Sequence, residues 1–269
     1  QGTRAVIARG LLASAFPAEA ETESAGFASL TRGTGPQIGG FALIGPDNAS
    51  DVDMELVMFS GQSGGNFVIK RGVLDTWPRS WPVGTPIRFF SDSTFITDDQ
   101  NRSALSEVEY KLLMRTSLGI MNPANSPSLP YTPSERPYMP TRPANTSVGG
   151  VAFGDVDARG VDPVPFLWAN RNRLTEEALV LPWDAATVTP ESGQTTAIVI
   201  LDPYTGAEIN RVDGLTGTSY NLPASAFMGY SEVDVKIISE RDGFESCQGY
   251  TQHVLVNTGY GYSYGLNYG

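Results

Sequence analysis

The chain has one cysteine, Cys247, and one histidine, His253, in 269 residues. A single cysteine excludes an internal disulfide framework and a cysteine-built zinc site within one chain. A single histidine removes most general-base constellations. Its only thiol partner lies six residues away, on the order of 20 Å between Cα atoms on an extended segment. His253 therefore reads as a strand residue and Cys247 as a packed or half-buried thiol. Bases are scarce as well, 18 against 29 acids for a net charge of −11, and no Lys/Arg cluster interrupts the acidity. A nucleic-acid partner is not expected, because phosphates need local positive charge. No apolar run reaches the ~18 residues of a membrane span, so no membrane insertion is expected. A phosphate cradle is lacking too, since no glycine-rich loop stands between a strand and a helix with a lysine after it. The opening Gln1-Gly2-Thr3-Arg4 has neither Met nor a signal layout, which suggests a processed product or a piece of a longer chain.

What is plentiful is glycine, 29 residues, and proline, 19, a balance that favours strands and turns over helices. Short apolar runs between breakers predict strands at 39–45, 54–59, 66–71, 86–90 and 108–113, with a hairpin turned at 60–65. Together they predict a small antiparallel sheet or barrel. The one predicted helix is the acidic, Ala-rich stretch 17–24. An internal echo relates 6–12 to 68–74, identical at five of seven positions, and raises the question of a duplication. Downstream, strands are predicted at 146–153, 164–169, 195–201, 208–212, 218–222, 233–239 and 251–256. That is the spacing of an immunoglobulin-like sandwich, with Trp168, Phe166 and Val164 on one side of the second strand. Asp202 to Gly206 and Glu240 to Gly243 read as turns.

Between these halves Pro127, Pro130 and Pro133, then Pro137, Pro140 and Pro143, repeat at a spacing of three. Three residues per turn is the polyproline II period, so the segment 127–143 predicts a stiff strut on the order of 50 Å long. The resulting division is a β domain at 1–121, an extended linker at 122–144, a sandwich at 145–257 and a Tyr/Gly-rich tail at 258–269. In that tail Tyr260, Tyr262, Tyr264 and Tyr268 share one face if the backbone is extended. They are the candidate interface residues, a docking ribbon with nothing to fold against in itself.

No catalytic residues and no cofactor are expected. Two acidic clusters, Asp47, Asp51, Asp53 and Glu55, and Asp155, Asp157 and Asp162, leave calcium open as an alternative to solvated turns, although neither has the spacing of an EF-hand loop. Trp77, Trp81 and Trp183 could stack on sugars if exposed, which keeps a carbohydrate-binding adhesin as the alternative function. Filling core space is their other reading.

Several strings carry a family resemblance. Residues 40–45, 54–57 and 68–76, followed by Pro78, Gly84 and Ile87, resemble a β module of tailed-bacteriophage tail-tip and baseplate proteins. Residues 108–116 and Arg136-Pro137-Tyr138-Met139-Pro140 continue the match. Residues 166–173, 214–220 and 239–243 are similar to the fibronectin type III-like domain that closes the same proteins. The resemblance implies a non-enzymatic virion structural protein of the tail, in an extracellular particle. Its partners would be other tail or baseplate proteins, in symmetric multiple copies, with a host-surface glycan as a possible further contact.

Overall fold

The computed structural model describes residues 8–12, 24–25, 27–32, 38–47, 54–63, 66–90, 106–132, 138–176 and 180–256, with Ala15 and Glu135. The chain is all-β, and it separates into two compact units, Phe95–Tyr138 in one and Ala5–Thr94 with Met139–Gly269 in the other.

The larger unit opens with a seven-stranded sheet. Its strands are β1 (Ala8–Leu12), β2 (Ser24–Ala25), β3 (Phe27–Arg32), β4 (Phe41–Ile44), β5 (Glu55–Ser63), β6 (Asn66–Lys70) and β7 (Pro86–Phe90), in the order β2-β6-β5-β4-β7-β1-β3. All neighbours run antiparallel, and β5–β6 is the expected hairpin. The central strands are apolar at nearly every position because both faces are covered. Ala42, Ile44, Val57, Phe59, Ile87 and Phe89 enter one cluster. Their alternates Phe41, Leu56 and Phe90 enter a second, completed by Val73 and by Val180 from far along the chain. Strand periodicity of two sorts the residues between faces.

The smaller unit is a two-stranded β-ribbon with a second hairpin at its end. β8 (Val108–Lys111) pairs with β11 (Ser128–Tyr131), and β9 (Arg115–Thr116) pairs with β10 (Gly119–Ile120) between them. A 3₁₀ turn over Pro123–Asn125 links the two ladders.

The larger unit resumes as a sandwich. Its strands are β12 (Ala144–Val148), β13 (Val156–Asp157), β14 (Val164–Ala169), β15 (Thr195–Leu201), β16 (Glu208–Leu215), β17 (Ser219–Leu222), β18 (Glu232–Arg241), β19 (Phe244–Glu245) and β20 (Tyr250–Leu255). One sheet is ordered β12-β14-β17 and the other β13-β20-β18-β15-β16, with β19 hairpinned onto β18. Val164, Phe166 and Trp168 of β14 meet Ile198, Ile200, Val233, Val235 and Val254 of the facing sheet in one core. The intervening Leu167 points out and is 46% exposed.

The sheet and the sandwich are not held apart by a strut; they share a buried polar seam. At its centre Glu55 has no exposed side-chain surface and accepts five hydrogen bonds. Two come from Arg71 (2.8 and 2.6 Å), two from the backbone N–H groups of Gly72 (3.2 Å) and Arg79 (3.1 Å), and one from Trp81 Nε1 (2.8 Å). The Arg71 carbonyl then accepts from the Trp183 backbone at 3.0 Å, and the Trp183 carbonyl accepts from Asn145 at 2.7 Å. The buried Arg142 guanidinium donates to the carbonyls of Gly72 (3.1 Å) and Thr76, and lies 4.6 Å over the Trp77 ring. Its backbone N–H donates to Asp75 at 2.7 Å. Burial draws its pKa down to about 9, with the charge of Arg171 adding to the effect and Asp75, Glu176 and Glu55 opposing it, so Arg142 stays charged at neutral pH. Trp77, Trp183, Phe153 and Tyr250 close the seam as a ring cluster, Trp77 stacking on Tyr250 with centroids 4.3 Å apart.

Two expectations are thereby corrected and one open question is answered. The division at 121 and 144 gives way to one body made of both β layers, because residues 71–77 and 142–183 bond to each other. The rod expected over 127–143 gives way to a strand in its first part. Polyproline II angles lie within the β region, so 128–131 is taken up as β11, with Pro130 opposite Glu109, while Pro140 and Pro143 are buried. Pro133 and Pro137 lie outside the described residues. Nor does the echo repeat a structure: Ala8–Leu12 is strand throughout, whereas its counterpart leaves the sheet after Lys70 through Gly72 at φ +53°. The predicted helix 17–24 falls outside the described residues apart from Ser24, which opens β2.

Removing one partner of a fully buried ion pair leaves the other charged and uncompensated, which costs about 3–5 kcal/mol. Glu55→Gln is therefore expected to lower the unfolding free energy in urea by about that amount, and the apolar double replacement Glu55→Leu with Arg71→Met to recover part of it. A loss under about 1 kcal/mol for Glu55→Gln would contradict the seam's role.

Candidate interaction surface

The β-ribbon is built to stay intact without a core. Its end turns through Ser117-Leu118, where the Leu118 N–H donates to Thr116 Oγ1 at 3.2 Å, and Gly119 takes φ +124°. Met121 N–H extends the ladder to the Met114 carbonyl at 2.8 Å. The Asn122 side chain caps the 3₁₀ turn by accepting from Ala124 N–H at 2.9 Å, and the Ser126 hydroxyl donates to the Leu112 carbonyl at 2.8 Å. Lys111 Nζ donates to the Pro123 carbonyl at 3.2 Å, and the Tyr110 and Tyr131 rings lie 6.0 Å apart. Polar and backbone bonds thus fix the shape.

The apolar side chains have no such use within the ribbon. Leu118 is 98% exposed, Leu112 77%, and Met114 and Ile120 both 64%. Among described residues 106–132 only Ser126 is buried. A two-stranded ribbon cannot bury a face against itself, and the density of exposed apolar side chains makes it the candidate interaction surface. Its charge differs from the rest of the chain as well. Between Glu109 and Glu135 there is no acid, and Lys111 and Arg115 give net +2, while the remaining residues carry 16 bases against 29 acids, net −13.

A second feature lies at one end of the sandwich. His253 on β20 bonds Asp234 of β18 through Nδ1 at 2.9 Å and lies 3.5 Å from Glu232 through Nε2. The hydroxyl of the exposed Tyr204 donates to Glu232. The bond to Asp234 holds His253 above the ordinary histidine range. Partial burial opposes this, and the charges of Asp234, Asp155 and Glu232 add to it.

The residues singled out from sequence fare differently. Tyr260, Tyr262, Tyr264 and Tyr268 lie outside the described residues. Trp77, Trp81 and Trp183 are 4, 8 and 5% exposed, so they fill the seam and offer no face to a sugar. Cys247 is exposed, not packed as expected. It follows β19 in the short link to β20, where no strand face covers it. His253 is a strand residue as expected, with a carboxylate partner that sequence distance concealed. Asp51 and Asp53 lie outside the described residues, while Glu55 is consumed by the seam and Asp47 pairs with Arg88 at 2.6 Å. In the other acidic cluster Asp157 pairs with Arg159, and Asp162 accepts from Ala224 N–H at 2.9 Å. Among the described residues no three His, Cys, Asp or Glu side chains are grouped to hold a metal ion, and no helix is long and apolar enough to cross a membrane.

The ribbon itself was missed as a separate unit. Its signal was the consecutive Leu112-Leu113-Met114, which breaks the alternation of a half-buried strand. No family model matches the sequence, and no curated protein matches it.

A His253 pKa raised in the folded chain contributes stability that is full below the unfolded value of about 6.5 and is lost as pH rises through the folded value. NMR titration of the single imidazole is expected to give a midpoint above 6.5, moved down by Asp234→Asn. An unchanged midpoint in that variant would contradict the pairing.

Proposed function

We propose that this chain is a non-enzymatic structural component of a bacteriophage tail tip or baseplate and works by engaging neighbouring proteins through its β-ribbon. The observation that carries the assembly part is the exposure of Leu112, Met114, Leu118 and Ile120 on a ribbon whose own hydrogen bonds are already made. Such a surface in water favours association through its apolar area. The tail assignment rests on the sequence resemblance. It is supported by the sandwich, whose β12-β14-β17 sheet facing β16-β15-β18-β20 is compatible with a fibronectin type III-like arrangement. In this reading the seam makes the two β layers one rigid support, and the ribbon supplies contact area. The glycan-binding alternative loses its stacking residues, since the three tryptophans it required are buried.

Immunogold electron microscopy of purified particles is expected to place the chain at the tail end. The double variant Leu112→Ser with Leu118→Ser, with the far-ultraviolet spectrum and melting temperature of the parent, is expected to be missing from particles. Absence of the parent chain from the particle would overturn the tail assignment; normal incorporation of the variant would overturn the role of the ribbon.

A further inference from the structure

The ribbon needs an occupant that offers apolar contact and negative charge together. An acidic chain of net −11 repels its own copies, so self-association requires a place where the sign reverses. The stretch 110–134 is such a place, with Lys111 and Arg115 and no acid. Two bases are too few for a nucleic-acid backbone, where affinity grows with the number of phosphates neutralised.

A surface of matching chemistry exists on this same chain, at the end of the sandwich around His253. Asp155, Glu232 and Asp234 lie about that one imidazole. Beside them stand large side chains that reach water: Tyr204 is 82% exposed, Met228 64% and Tyr230 40%. Tyr204 bonds Glu232 directly, and 228–231 leads straight into that residue. Both surfaces therefore combine large exposed apolar or aromatic side chains with charges of opposite sign, the combination that fixes register and excludes wrong partners at interfaces.

We infer that the ribbon docks on a second copy of this chain, laying Leu118 and Ile120 against Tyr204 and Tyr230 while Lys111 and Arg115 meet Glu232 and Asp234. The contact is heterologous, ribbon to sandwich end, so a docked pair keeps one free ribbon and one free sandwich end for further neighbours and the product is a ring or a filament. The inference rests on the ribbon being the assembly surface and names what it binds.

Sedimentation velocity of the full chain over a concentration series tests it. The parent is expected to associate reversibly, more weakly in 1 M salt, where the Debye length falls to about 3 Å. Lys111→Glu with Arg115→Glu is expected to weaken association at least roughly tenfold, as is Glu232→Lys with Asp234→Lys. The quadruple charge-swapped chain is expected to regain it. Tyr204→Ser, an exposed position that leaves the strands untouched, guards against loss through misfolding and is expected to weaken association as well. A parent that stays monomeric to about 100 μM, or variants that associate like the parent, or a charge-swapped chain that stays monomeric while its melting temperature is unchanged, would overturn the inference. If the chain is monomeric and the serine variant of the ribbon is still excluded from particles, the ribbon binds a different tail protein; the proposed function then stands and this inference falls.

Discussion

Glu55 is the constraint on which the body depends. A carboxylate with no access to water needs its lone pairs filled, and here five donors do so, from Arg71, Gly72, Arg79 and Trp81. Satisfying it dictates the path of 71–81. The chain must leave β6 at Lys70, turn at Gly72 and return past the same carboxylate. At Gly72 a Cβ would fall 2.7 Å from Pro78 Cδ and 2.8 Å from Trp183 Cβ, so only glycine admits the approach. The buried carbonyls of that turn are then met by Arg142 and Trp183, which come from far along the sequence. One buried charge thus sets how the first sheet and the sandwich become a single body.

A second buried pair repeats the device nearby. Arg171 grips Glu176 at the single helical turn Arg173–Glu176 and donates to the Pro182 carbonyl at 3.4 Å, fixing the segment that carries Val180 and Trp183 back to the sheet. Ionic groups placed so deep contribute little net stability against apolar equivalents, but they penalise any arrangement that separates them. A rigid support follows. The ribbon obeys the opposite rule: its polar groups are satisfied locally and its apolar groups are left to water.

Much of the fold was legible because periodicity of two survives wherever one or both faces are packed. β7, β14 and β15 coincide with the predicted 86–90, 164–169 and 195–201 at both ends, each being an apolar run stopped by turn residues. The ribbon and the seam were not legible, for separate reasons. A three-residue proline period and a strand share the same region of backbone angles, so spacing alone could not tell a free rod from 128–131 paired with Val108–Lys111. Glu55 read as one of a cluster of solvated acids because its partners lie 16 to 26 residues on, and Arg142, 67 residues beyond Asp75, gave no local sign. The tryptophans had two readings, and their burial in the seam decides for the interior.

Hydrogen–deuterium exchange of the free chain against the assembled particle tests the central claim most directly, because it reads body and ribbon separately. The account predicts that amides of Val108–Lys111 and Ser128–Tyr131 exchange quickly in the free chain and slow markedly in the particle, while β5, β7 and β14 are slow in both. A ribbon that exchanges equally fast in both states, or a body whose β5 and β14 exchange as independent units when free, would contradict it.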